Sequence, residues 1–417
     1  MKWKNQGWLW AIGLLIGAML VILFSTGATP IKWTFNVGAN GYNVPLVTAD
    51  GTIYVGDSGG RLFAVNPDGT EKWSVNLGLA LITEPVIAPD GTLYVPLFMS
   101  GLAGGIASVK ADGTINWIFH GTGPVFAAPA LGNDGTIYVG GYHSNFFALN
   151  PDGTVRWTIE TGGVIAGKSA VTSLGEVAFV SSDDHLYIAS PDGQLRLRKK
   201  LSEEHHAHTV TSAPDGALLV TLVSELRFFT SGGDTKWTTN LRDFAVPRTG
   251  SHTVLTAHLG PYVYVNPQCM ADGSIFVYAA NGYTYRISSL GKILAAIDTG
   301  ENENHDRQPM GVTSGNELLL AYEKTLRIPT GAGSYLTGTE EAAVVKLAID
   351  GTEQWRLPIP GRFNALRMLE FGRFSQQRQF GFGQRDYQGL LKPVMGPDGT
   401  VYVRAMRGLI AIQPPRN

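Results

Sequence analysis

The stretch VPLVTADGTIYVGDSGGRLFAVNPDGTEKWSVNLG, residues 44–78, decides the fold. It divides into four short segments of strand character. PLVTA is apolar, TIYVG is β-branched and aromatic, RLFAVN alternates, and EKWSVN alternates with Trp73 on its inward face. Asp50-Gly51 and Asp68-Gly69 fall between segments, where tight hairpins require a positive φ that glycine adopts without strain. The stretch therefore reads as a four-stranded antiparallel meander, its strands lettered A to D.

The unit recurs along the chain. Its A–B turns fall at Asp50, Asp90, Asp134, Leu174-Gly175, Asp215, Asp272, Ser314-Gly315 and Asp398, and the first three are spaced as blades of a propeller are. Tryptophans mark the fourth strands at Trp73, Trp117, Trp157, Trp237 and Trp355, whereas the units near Leu197 and Leu294 lack one. The last unit, GPDGTVYVRAMRGLIAIQPP, stops after strand C, and IKWTFNVG at Ile31 is an orphan strand D with its own Trp33. An N-terminal strand that completes the last unit pairs both chain ends and removes the exposed sheet edges. The expected fold is all-β: an eight-bladed β-propeller of four-stranded blades closed by the N-terminal strand. One apolar N-terminal helix precedes it, so residues 1–29 are expected to form an anchor or signal segment and residues 30–417 the propeller. Helical periodicity is absent outside that first segment.

That segment places Lys2 and Lys4 before a nearly apolar run from Trp8 to Phe24, long enough to span a bilayer. The lysines hold the N-terminus in the cytoplasm and send the rest of the chain outside. The expected localisation is the cell membrane, single-pass with an extracytoplasmic propeller; cleavage after Ser25, Gly27 or Ala28 instead leaves a secreted or periplasmic protein. Charged residues make up only 16% of the 417 and the formal net charge is -2, with no block of like charge, so nucleic acid is not an expected partner. Cys269 stands alone, which excludes an internal disulfide and a cysteine zinc cluster.

DGTIYVGGYHSNFFALNPDGTVRW, residues 134–157, resembles the repeat of the quinoprotein (PQQ-like) propeller family, with its Asp-Gly-x-hydrophobic-Tyr strand and docking Trp. The resemblance spans nearly the whole of the expected propeller. It implies that architecture and, in the family's enzymes, a PQQ cofactor held against an adjacent Cys-Cys disulfide, which a single cysteine cannot form. The non-catalytic branch, similar to the propeller lipoprotein of the outer-membrane assembly machinery, implies an exported scaffold; this chain has an apolar span where that branch has a lipidated cysteine.

In such a ring the A–B and C–D turns share one face, and the B–C loops and D–A connections share the other, where sequence variation concentrates. LSEEHHAHTV brings His205, His206 and His208 beside Glu203 and Glu204 at one D–A connection; alternation on a strand would put His206 and His208 on one side, imidazoles suited to a divalent metal. TGENENHDRQP carries His305, Asp306 and Arg307 at an equivalent connection, so both clusters are candidates for the channel mouth. The segment 362–389 interleaves Arg362, Arg367, Arg373 and Arg378 with Phe371, Phe374 and Tyr387, residue types that dominate binding hot spots and clamp anionic or aromatic groups. AYEKTLRIPTGAGSYLTGTEEA, from Ala321, reads as a long B–C insertion.

The function these features favour is a membrane-anchored extracytoplasmic scaffold, a monomeric ring that binds a protein, peptide or cell-envelope ligand on its loop-rich face, with no catalytic residue and no cofactor expected. The alternative is a quinoprotein-like oxidoreductase or metal-dependent lyase working at the His-rich channel mouth, with PQQ or a divalent metal.

Overall fold

The computed structural model describes residues 31–38, 43–99, 104–126, 128–201, 207–213, 215–222, 225–241, 267–270, 272–278, 283–298, 310–313, 317–331, 334–348, 350–359, 392–405 and 408–415. Among the described residues thirty-two strands form eight four-stranded antiparallel sheets. Blade 1 consists of strands A (Leu46–Val47), B (Ile53–Gly56), C (Arg61–Val65) and D (Glu71–Asn76), hydrogen-bonded in that order. Blades 2 to 7 repeat it over residues 86–119, 130–160, 170–200, 207–240, 268–298 and 310–358. Blade 8 takes strands A to C from Val394–Met395, Val401–Ala405 and Gly408–Ile412, and strand D from Ile31–Asn36, which pairs Trp33 with Ala411 and Phe35 with Leu409. The orphan strand thus closes the ring as its sequence requires.

The core is distributed, because every blade is hydrophobic on both faces. Eight apolar clusters each join one blade to the next: Tyr54, Leu62 and Ala64 of blade 1 meet Leu93, Val95 and Leu97 of blade 2, and the eighth sets Ile53, Val55 and Phe63 against Tyr402, Leu409 and Ala411 of blade 8. Strands B and C are therefore continuous apolar runs, whereas the outer strands D alternate between exposed and half-buried positions, as in Glu71–Asn76 and Val155–Glu160.

The Asp-Gly turns are more specific than tight hairpins in general. In the first, Gly51 N–H donates to Thr48 O at 2.9 Å, Thr48 N–H to Thr52 O at 3.0 Å, and Gly51 has φ 82°. That is a type I turn followed by a left-handed glycine, the three-residue hairpin loop. The Asp50 carboxylate closes the turn on itself, accepting from the Thr48 hydroxyl at 2.5 Å and from the Thr52 amide and hydroxyl. These bonds hold its carboxyl down at about 2. Asp68, Asp112, Asp152, Asp272 and Asp398 repeat the arrangement with the residue two positions on. The carboxylates of this face are consumed locally.

The octapeptide written twice, NPDGTEKW and NPDGTVRW, encodes the seam between blades. Five strand-D tryptophans lie over the C–D turn of the next blade and donate the indole N–H to a carbonyl of that turn: Trp33 to Pro67, Trp73 to Ala111, Trp117 to Pro151 and Trp157 to Pro191, each just before the turn's aspartate, and Trp237 to Ser289, before Leu290, all at 2.8–2.9 Å. A side chain at the turn glycine has no room, since a Cβ on Gly153 would lie 2.6 Å from the Trp117 ring. The two blades without tryptophan solve the seam differently. Leu197 occupies the ring's place over Gly233, and the neighbouring Arg196 donates to Ser231 O at 2.7 Å in lieu of the indole. In blade 6 the tryptophan position is Ala295, one residue beyond the expected Leu294, and Ile297 reaches over Gly351 instead. Trp355 packs on Val401, Val403 and Ile412 of blade 8, whose strands C and D come from opposite ends of the chain.

The insertion expected from Ala321 is a paired ribbon. Strands B (Leu318–Gly331) and C (Ser334–Leu347) of blade 7 are paired from Leu318↔Leu347 out to Gly331↔Ser334, with register shifts between Lys324 and Thr325 and between Pro329 and Gly331. The apolar segment Trp8–Phe24, with the expected N-terminal helix, lies outside the described residues. Among the described residues no helix is long and apolar enough to cross a membrane.

Candidate functional site

Strand direction alternates within a blade, so the two faces of the ring differ in kind. On the turn-rich face A–B and C–D turns pack together: a Cβ on Gly51 would meet Pro67, and Arg156 reaches from the start of strand D to Asp134 at 2.6 Å and to Thr136. Burial opposes it, but the bonds from Arg156 and Thr136 hold the Asp134 carboxyl down at about 2. On the loop-rich face the B–C turns of blades 1, 3 and 4 are tied to the end of strand D, through Leu77 N–H to Gly60 O, Thr161 N–H to Ser144 O and Leu201 N–H to Asp184 O. Gly60 sits there with φ 88°, but blades 3 and 4 place Ser144 (φ 62°) and Asp184 (φ 65°) in the same left-handed conformation. Non-glycine residues held so mark turns whose shape is fixed by their surroundings.

Beside the Ser144 turn lies an exposed aromatic patch. Phe98 ends strand B of blade 2, Phe126 lies in the connection to blade 3, and Tyr142 lies in the B–C turn of blade 3. Phe98 and Phe126 meet edge to face with centroids 5.2 Å apart, and Phe126 and Tyr142 lie 6.3 Å apart. Met99 follows Phe98, and Met99, Phe126 and Tyr142 are 51%, 38% and 51% exposed. The backbone beneath is fixed by Phe98 N–H to Ala80 O at 2.9 Å and Tyr142 N–H to Pro124 O at 3.2 Å. The remaining exposed large hydrophobics are at turn tips or on outer strands, such as Leu174, Leu290, Ile115 and Val155.

In blade 4, Asp183 accepts from the Tyr187 hydroxyl at 2.5 Å, from Gly162 N–H at 3.0 Å and from His185 N–H at 3.2 Å, and Arg198 donates to the Tyr187 oxygen at 3.1 Å. Burial raises the Asp183 carboxyl, but these bonds more than offset it and hold the group below the usual range. Burial and the adjacent carboxylate push the Tyr187 phenol up. The cluster fastens the 3–4 connection to the B–C turn.

Most residues expected from sequence to form the site fall elsewhere. Arg362, Arg367, Phe371, Arg373, Phe374, Arg378 and Tyr387 lie outside the described residues, as do His205, His206, His305, Asp306 and Arg307. His208 is in strand A of blade 5 (Ala207–Ser212), where the register shifts between Ala207 and Thr209. Among the described residues no group of three or more His, Cys, Asp or Glu is placed to hold a metal ion. Burial pushes the Cys269 thiol up to about 11, so it stays protonated and unreactive at neutral pH. Sequence reasoning missed the aromatic patch. Its signal was present as the aromatic residues Phe98, Phe126 and Tyr142 in loop-rich connections, but the three are brought together only by adjacent blades.

Residues 26–163, which hold the closing strand and blades 1 to 3, match the family model of the outer membrane protein assembly factor BamB. Over these residues the chain is similar to the quinoprotein-like repeat of BamB. The crystal structure of BamB from Moraxella catarrhalis superimposes with a TM-score of 0.50 at 19% identity, covering 67% of this chain and 80% of that one. A streptogramin B lyase structure gives 0.50 at 14% identity over 79% and 92%, and the computationally designed Ika8 protein gives 0.52 at 12% over 76% and 83%. At these identities the likeness is one of fold, and an assembly factor, a lyase and a designed protein share it. No curated protein sequence matches the chain.

Proposed function

We propose that the chain is a non-enzymatic scaffold, anchored by Trp8–Phe24 with its propeller outside the cytoplasmic membrane, that docks a protein partner on its loop-rich face over Phe98, Met99, Phe126 and Tyr142. The exposed aromatic patch carries this reading. Aromatic and methionine side chains clustered in the open on a rigid backbone are the composition of an interface centre, and a folded monomer gains nothing by exposing them together. The BamB likeness supports an assembly scaffold as the general class. The Arg and Phe residues of 362–389 are proposed as a second contact for the same partner, on their composition.

A photo-crosslinking residue at Tyr142 in the full chain, compared with one at Ile115 on the outer edge of blade 2, tests the proposal. Position 142 should give a discrete crosslinked protein, lost in Phe126→Ser, and the purified partner should bind the wild-type chain at least about tenfold more tightly than that variant. Equal crosslinking from both positions, or turnover of a substrate by the purified chain that His206→Ala abolishes, would overturn it.

A further inference from the structure

The innermost ring carries charges that the seams do not use. Six residues before the A–B turn positions Asp50, Asp134 and Asp215 stand Val44, Ala128 and Thr209, but six before Asp90, Leu174 and Asp398 stand Glu84, Lys168 and Lys392. These residues stand where the D–A connections enter the channel, on the loop-rich face. In a closed ring of eight, blades 4 and 8 are diametrically opposed and blade 2 lies midway between them. Lys168 and Lys392 therefore occupy opposite sides of the ring with Glu84 at the quarter turn, and all three residues are partly exposed. Lys168 Nζ has no ion pair among the described residues. Desolvation by the surrounding ring lowers its pKa, the Glu84 carboxylate opposes that, and the Lys392 ammonium adds to it.

A third cation lies behind Lys392. Blade 8 pairs Val394 with Tyr402 and Met395 with Val401, and this register extended by two residues sets Lys392, just before strand A, level with Arg404 of strand B. Arg404 is 0% exposed, turned toward blade 1, where Nη2 donates to Gly56 O at 3.4 Å. Its Nε and Nη1 find no partner among the described residues. Burial brings the guanidinium down to about 10, with Asp57 opposing. A buried cation lacking a close counter-ion is costly unless negative charge comes near from elsewhere.

We propose that the loop-face mouth of the channel binds an oxyanion, the carboxylate or phosphate group of a small ligand, between Lys392 and Lys168, with Arg404 reinforcing the field behind Lys392. Glu84 limits how much negative charge the site accepts. The site is separate from the aromatic patch, and loss of either leaves the other intact.

The test uses the purified full chain in low-salt buffer, titrated calorimetrically with inorganic phosphate and, in a separate arm, with succinate. In parallel, amine-reactive labelling of Lys168 is read by mass spectrometry with and without each anion. One anion per chain should bind with Kd of about 1 mM or tighter and protect Lys168 from labelling. Saturation in the phosphate arm alone assigns the group to a phosphate, saturation in the succinate arm alone to a carboxylate. Lys168→Gln and Lys392→Gln should each weaken binding roughly tenfold. Glu84→Gln should tighten it severalfold, a gain of function that misfolding does not produce. No saturable binding in either arm, labelling of Lys168 indifferent to both anions, or undiminished binding in the Lys168→Gln/Lys392→Gln double variant overturns the proposal.

Discussion

The two faces of the ring are built from one repeat and have opposite character. On the turn-rich face every Asp-Gly turn is closed by its own Thr or Ser, apart from a few such as Asp215, which meets Ala217 N–H, and five indoles are docked on neighbouring carbonyls. On the loop-rich face the same strands end in dissimilar connections, two aromatic rings stand in the open against a half-buried third, and a buried arginine keeps two nitrogens without partners among the described residues. The first face spends its polar groups on holding blades together, so repetition is its sequence signature. The second has groups left over for something outside the chain.

If that contrast is right, damage to the turn-rich face is felt as lost stability. Trp117→Ala removes a half-buried ring and a hydrogen bond to Pro151, and should cost about 3 kcal/mol in denaturant unfolding. Leu197→Ala, at a seam where Arg196 makes the compensating bond, should cost less, about 2 kcal/mol; an equal or greater loss there would mean that the indole is not the dominant seam contact.

Damage to the loop-rich face should separate binding from stability. Phe126→Ser combined with Tyr142→Ser should weaken partner binding by about 2 kcal/mol while shifting the unfolding free energy by less than about 1 kcal/mol. A large stability loss would reassign the patch to the fold.

Acid sharpens the contrast further. The Asp134 carboxyl titrates at about 2 in the folded ring against an ordinary 3.8, so its stabilisation is present above pH ~4 and is lost as pH falls toward 2. Because both partners are substantially exposed, the Asp134–Arg156 pair is screened, and Asp134→Asn should cost about 1 kcal/mol or less at pH 7. In urea melts the variant and the wild type should converge by pH ~2. Leu294→Ser should change least, within about 0.5 kcal/mol, because Ala295 and Ile297, not Leu294, face the seam.

The blade count, the closing strand and the seam tryptophans were legible from residues alone. Asp-Gly turns and a strand-D Trp are local patterns, and the orphan IKWTFNVG had one place to pair. The substitution of Arg196 for an indole donor was not legible, since it depends on which atom reaches Ser231 O. The ribbon of blade 7 was read as an insertion because its polar and glycine residues hide the pairing that register makes plain. The aromatic patch and the channel charges were missed for a different reason. Phe98 and Tyr142 are 44 residues apart, and Lys168 and Lys392 are 224 apart.

The sequence by itself determined the repeat, because each blade's strands and turns are set by contacts within some forty residues and each carries its own signature. Only the tertiary structure decided what the loop-rich face presents. Ring closure brings blade 8 against blade 1 and sets blade 4 opposite blade 8, and a neighbourhood made by closure leaves no periodic mark on the chain.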